Sequence, residues 1–161
     1  MGSKTPSSYD SMPWLANYDE GVPQEFSFEH ANICTLLDNE AGENPKTVAV
    51  LFREYTLTYA QLLEQAETIA ANLALHGVRP GDRVALMMPN MPQIVSAFWG
   101  ILKAGAVVVM VNPLYMEKEL LHLVTDSGAR HLVTISACWP KLNALRFRTG
   151  GQQFFSSGTR E

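Results

Sequence analysis

Residues Arg83 to Pro89 read "RVALMMP", and this short run decides the fold. A strand with one solvated face alternates apolar and polar positions, and an amphipathic helix repeats them every three or four residues. Val84 to Met88 do neither. Five successive apolar side chains over a strand's length predict burial on both faces, as in the interior of a parallel sheet. The flanks agree: "VRPGD" (Val78 to Asp82) supplies a tight Pro-Gly turn, and Asn90 and Pro92 open a helix, since proline at the first helical position has no hydrogen bond to lose.

The pattern extends in both directions. Downstream, Ile94, Val95, Phe98, Ile101 and Leu102 fall on one helical face, with Lys103 near the negative helix end and Gly105 closing it. "AVVVMV" (Ala106 to Val111) predicts a second buried strand. "MEKELLHLVTDSG" predicts a helix with Glu117 and Glu119 in its first turn and Asp126 at its end, and "HLVTI" a third strand. Strand, helix, strand, helix, strand from Arg83 to Ile135 is the order of a doubly wound α/β core with right-handed crossovers.

Upstream, Thr58 and Gln61 have the spacing of a capping box, and Leu62, Ala66, Ile69, Ala70 and Leu73 recur at helical intervals until Gly77. "TVAVLF" and "YTLTY" predict a hairpin turning at Arg53-Glu54 without the usual glycine. A first helix is expected over about Asn32 to Glu40. Residues 1–25 form an extended lead-in, with Pro6, Pro13 and Pro23 blocking regular structure and Trp14, Leu15 and Tyr18 packing onto the body.

After Ile135 the pattern fails. "ACWPKLNALR" (Ala137 to Arg146) predicts a helix start near Pro140, but "FRTGGQQFFSSGTRE" (Phe147 to Glu161) has neither periodicity nor an evident partner in the preceding core. The domain expectation is therefore a lead-in over 1–25, a partial α/β domain over 26–146 with an incomplete sheet, and a disordered or out-of-frame tail over 147–161.

The 161 residues are 47% apolar with a formal charge of -4, enough chain and apolar content for one globular core. Twelve scattered basic residues in a mildly acidic chain exclude nucleic acid as a partner. The opening "MGSKTPSSYDSM" lacks the apolar region of a secretory signal, and its sixth residue, Pro6, breaks the myristoylation pattern. The most apolar stretch, Ala97 to Val111, is too short to span a bilayer and contains Lys103.

No residue is assigned a catalytic, cofactor-binding or metal-binding role. Cys34 and Cys138 have no zinc or CxxC spacing and read as reduced thiols of a cytoplasmic protein. His30, His76, His122 and His131 have no metal spacing. Ligands of an open parallel sheet gather beyond the carboxyl ends of its strands. There the loops read "PNMPQ", "NPLYM" and "SACWP", with prolines where a phosphate would need amide donors. Met87, Met88, Met91, Met110 and Met116 near those ends read as core filling. Asn112, before a proline, reads as a turn residue.

The same residues carry a family likeness. "LTYAQL" (Leu57 to Leu62), "GDRVALMMPN" (Gly81 to Asn90) and "ILKAGAVVVMVNPLY" (Ile101 to Tyr115) resemble the opening motifs of the adenylate-forming superfamily. "MMPN" followed by "VNPLY" and "DSGA", with the lead-in "PWLANYDEGVPQEF", is most similar to bacterial long-chain fatty acid CoA ligases. The resemblance covers about Pro13 to Arg146. It implies a long-chain fatty acid substrate, with ATP, magnesium and coenzyme A, in enzymes that are cytoplasmic or peripheral to the membrane. It also implies that the family's phosphate loop, magnesium carboxylate, ribose-gripping aspartate and C-terminal lysine lie beyond the matched region. The matching Leu57, Thr58, Lys103, Gly105, Asn112 and Pro113 belong to motifs read as structural.

"SSGT" (Ser156 to Thr159) shares its first letters with the family loop, but "RE" follows in place of the continuing Thr-Gly and Lys-Gly. With no apolar strand seen before it, nothing is expected to aim its amides at a phosphate. The expectation is a ligase fragment that is inactive alone and binds no ATP, magnesium or coenzyme A by itself. The alternative is a non-enzymatic α/β module that pairs, or self-associates, through its unfinished sheet.

Overall fold

The computed structural model describes residues 11–25 and 32–138, and the backbone of 153–157. The chain divides into a leading unit, Met1–Ala31, and a body, Asn32–Glu161. In the leading unit Pro13 does not block regular structure: it sits in the first turn of a 3-10 helix, Pro13–Asn17, where its missing N–H costs nothing. Trp14 and Tyr18 are exposed. Pro6 lies outside the described residues.

The body opens with α1 (Cys34–Glu43), three residues longer at its C-terminal end than the pattern predicts. Asn32 begins it by accepting the Cys34 N–H on Oδ1 at 3.0 Å. The hairpin is present as β1 (Val48–Phe52) and β2 (Tyr55–Thr58), antiparallel with Phe52 opposite Tyr55. Its turn does without glycine by placing Arg53 at φ 55, a conformation that costs a non-glycine residue about 1 kcal/mol. The Arg53 guanidinium lies 5.7 Å from the Phe52 ring centroid, a cation–π contact that offsets part of that cost.

Helix α2 (Tyr59–Leu75) starts with the predicted box: Gln61 N–H donates to Thr58 Oγ1 at 3.3 Å, and Thr58 N–H donates to Gln61 Oε1 at 2.9 Å. Then come β3 (Arg83–Met87), α3 (Pro92–Lys103), β4 (Val107–Met110), α4 (Glu117–Ser127) and β5 (His131–Ile135). The doubly wound order is as predicted. Met91, not Asn90, occupies the N-cap of α3, with Pro92 following it as expected.

Strand β3 pairs in parallel with β4 on one side and β5 on the other. Val84 to Met88 are 0–3% exposed. Their side chains alternate between two layers. Val84, Leu86 and Met88 meet Ala97 and Ile101 of α3, whereas Ala85 and Met87 meet Leu120 of α4 and Leu132. The helices thus cover opposite faces of the sheet, which is why the run shows no polar face.

Two expectations are corrected. "AVVVMV" is not buried on both faces: β4 is the outermost strand of the described sheet, and Val107 and Met110 are 49% and 53% exposed. Its uniformly apolar sequence matches an interior strand, and strand order is invisible to a local pattern. The tail is also not without a partner. Residues Gln153–Ser157 form β6, which runs parallel to β5 with Phe154 opposite Leu132 and Ser157 opposite Ile135. The sheet order is therefore β4-β3-β5-β6. Two phenylalanines between Gln and Ser carry too short a pattern to announce a strand, and the free edge of β5 supplies what they lack. The predicted helix start near Pro140 lies outside the described residues.

The buried face of α3 also differs from the predicted stripe. Its most buried positions are Ser96, Ala97, Gly100 and Ile101, while Ile94, Val95, Phe98 and Leu102 are half-buried. Ala97 and Ile101 face the sheet, and the approach of α2 buries Ser96 and Gly100. Gly100 lies so close to it that a Cβ there would stand 2.6 Å from Ile69 Cβ and 3.0 Å from the Ala66 carbonyl oxygen. Ser96 Oγ donates to Gln65 Oε1 at 2.7 Å across the same interface, so the hydroxyl is buried without an unmet bond.

Gly100→Ala is expected to destabilise the fold by about 1–3 kcal/mol through overpacking, read as a lowered urea midpoint. Gly42→Ala, in α1 with nothing within 4 Å of the new methyl, is expected to raise it by about 0.5 kcal/mol. Equal midpoints for the two variants would contradict the close helix contact.

Candidate functional site

The strand order locates a crevice. From β3 the chain goes to β4 on one side, and from β5 it goes to β6 on the other, so the order reverses between β3 and β5. In an open α/β sheet such a switch point parts the two following loops at the carboxyl ends of the strands and leaves room for a ligand. Here those loops are Met88 to Met91 after β3 and the 3-10 turn Ser136–Cys138 after β5. Beneath them Thr134, fully buried, donates its hydroxyl to the Met87 carbonyl at 2.6 Å. That bond adds a side-chain tie between β3 and β5 where the loops diverge.

Pro89 and Pro92 remove two amides from the first loop, and Pro92 is buried at the start of α3. In the loop after β4, Asn112 Oδ1 accepts the Leu114 N–H at 2.9 Å, and the Asn112 carbonyl accepts the Tyr115 N–H at 3.1 Å. Asn112 is therefore a turn residue, as its place before Pro113 predicts. At the start of α4, Glu119 accepts the Met116 N–H at 2.8 Å, which gives this acidic residue the capping and dipole role read from its position.

The methionines divide. Met87 and Met88 are core residues on opposite faces of the sheet, as predicted. Met91 is half-buried, whereas Met110 and Met116 are exposed and do not fill the core. The difference follows from position: Met87 ends the central strand and Met88 directly follows it, whereas Met91 precedes α3, Met110 ends the outer strand and Met116 precedes α4.

One feature escaped the sequence. Lys103 is placed near the end of α3 as expected, but its Nζ also pairs with Asp38 of α1 at 2.5 Å and lies 3.8 Å from Glu67 of α2. The lysine thus ties three helices together, and no local spacing signals a partner 65 residues away. Cys34 lies beside this group. Burial pushes its thiol above the ordinary value of 9.0, Lys103 opposes the rise and Asp38 adds to it. A raised thiol pKa is the reverse of what a nucleophilic cysteine needs.

His76 is exposed, with Nδ1 2.7 Å from the Asn72 carbonyl in the last turn of α2. His131 begins β5, with Nε2 3.8 Å from Asp82. His122 is exposed on α4, and His30 lies outside the described residues. Among the described residues, no group of three His, Cys, Asp or Glu side chains is arranged to hold a metal, and no helix is long and apolar enough to cross a membrane. "SSGT" is not isolated from the sheet, as the tail's composition suggests: β6 carries Ser156 and Ser157 to the same carboxyl edge as Thr134 and Ile135. Gly158 and Thr159 lie outside the described residues.

Comparison with known proteins places this geometry. The family of AMP-binding enzymes matches residues 37–153. A long-chain-fatty-acid–CoA ligase of Bacillus subtilis is 36% identical over 137 residues, which are 85% of this chain and 24% of the ligase. That of Yersinia pestis is 37% identical over 84% of this chain and 25% of its own length. The chain spans about a quarter of the length of these curated relatives. Among solved structures, a fatty acyl CoA synthetase of Mycobacterium tuberculosis superposes with a TM-score of 0.71 at 29% identity. It covers 78% of this chain and 26% of its own.

The Cys34 thiol makes the body's stability pH-dependent in a defined direction. Its folded pKa is raised, so its contribution is complete below the unfolded value and is lost as pH rises through about 9 and beyond, where the unfolded chain ionises first. Urea midpoints at about pH 8 and about pH 10 are expected to fall less for Cys34→Ala than for the unaltered chain. An equal fall would show that the thiol is not the group responsible.

Proposed function

This chain belongs to the AMP-binding enzyme family, and we propose that it supplies the amino-terminal part of a ligase that activates a long-chain fatty acid with ATP and transfers the acyl group to coenzyme A. The observation that carries the proposal is the long match to a long-chain-fatty-acid–CoA ligase, 85% of the chain at 36% identity. Such a ligase overcomes the inertness of a carboxylate by making a mixed anhydride. The fatty acid oxygen bonds to the α-phosphorus of ATP as pyrophosphate leaves, and the thiol then displaces AMP from the acyl carbon. Magnesium, in such an enzyme, shields the phosphate charge.

Within that reaction these residues build the wall of a crevice rather than its chemistry. The described rim does not fit ATP phosphates or a magnesium ion well. Proline replaces amide donors after β3 and β4, and the loop amide of Leu114 is already engaged by Asn112. We propose accordingly that the 161-residue chain does not form an acyl-adenylate by itself, and that no residue of it acts as a catalytic group.

One observation favours a second reading. Strand β6 brings Ser157 to the carboxyl edge of the sheet directly before Gly158 and Thr159. The Ser157 backbone at that edge, with small residues next in sequence, suits contact with a phosphate, which makes non-catalytic nucleotide binding by the chain alone the competing proposal.

Three experiments test these readings. Replacing the matched segment of the Bacillus subtilis ligase with residues 13–138 is expected to leave a soluble chimera with long-chain acyl-CoA synthesis within about tenfold of the parent, a change in barrier of about 1.4 kcal/mol or less. A folded chimera that accepts only short acids would contradict the long-chain assignment. The 161-residue chain with a long-chain fatty acid is expected to show no ATP–pyrophosphate exchange above background. Exchange that needs the acid and disappears on shortening the chain to Arg146 would overturn the inactive-alone proposal. For the second reading, fluorescent ATP is expected to gain anisotropy with the chain and to lose it with Gly158→Pro. Binding indifferent to that change would remove β6 from the argument.

A further inference from the structure

We draw no further inference here: the strongest candidate, the outer edge of β4, unpaired among the described residues, with its exposed Val107 and Met110 and no charged residue along the strand, carries nothing because nothing in the structure shows what covers it.

Discussion

The burial of both faces of Val84 to Met88 is the constraint on which the body depends. Each of these side chains, removed from water on a strand that is hydrogen-bonded on both edges, contributes about 1.5–3 kcal/mol for the larger ones, and none retains a solvated side. Burial of this kind requires a helix on each face and a strand on each edge. The chain meets the requirement in sequence order: α3 covers one face on the way to β4, and α4 covers the other on the way to β5. The reversal of strand order, and with it the crevice between the loops after Met88 and Ile135, follows from satisfying that one strand.

The helical layer over the first face is held by contacts of another kind. Where α2 crosses α3, small residues at Ala66, Gly100 and Ser96 sit among larger side chains, and the helices approach until Ile69 occupies the space a methyl at Gly100 would fill. Short-range packing of this sort has little capacity to adjust. Lys103 then adds electrostatics at the end of α3, reaching α1 and α2 together. The side chain is largely enclosed while both carboxylates are partly solvated, which limits the energy of the pairing and leaves its geometric role dominant.

What the sequence revealed and what it concealed divide along one physical line. Features set by residues close in the chain were legible: the Thr58–Gln61 box, the glycine-free hairpin at Arg53, the two-faced burial of β3 and the turn built on Asn112. Features set by the neighbour an element finds were not. The pattern of Val107 to Met110 marks an apolar strand but cannot say that it lies outermost in the described sheet. The stripe Ile94, Phe98, Ile101 is a true apolar periodicity, and Ile101 is fully buried, yet Ser96 and Gly100 are buried too, because a second helix comes close there. The partners of Lys103 and the docking of Phe154–Phe155 beside β5 depend on chain segments far away. The site was legible in the same measure: its loops could be named from the strand ends, and the pairing that sets Ser156 and Ser157 beside them could not.

The order of the strands also bears on how the protein is made. A ribosome delivers β3 before any of its neighbours in the sheet, then β4 and, after α4, β5, so the most deeply buried strand must wait with one edge unpaired and one face bare while α4 is still being synthesised. Non-local pairing of this kind is slow, and the waiting surface is the sort that chaperones bind and that aggregates when they are lacking. The central position of β3, which makes it the best-protected strand of the finished body, makes it the most vulnerable one during translation.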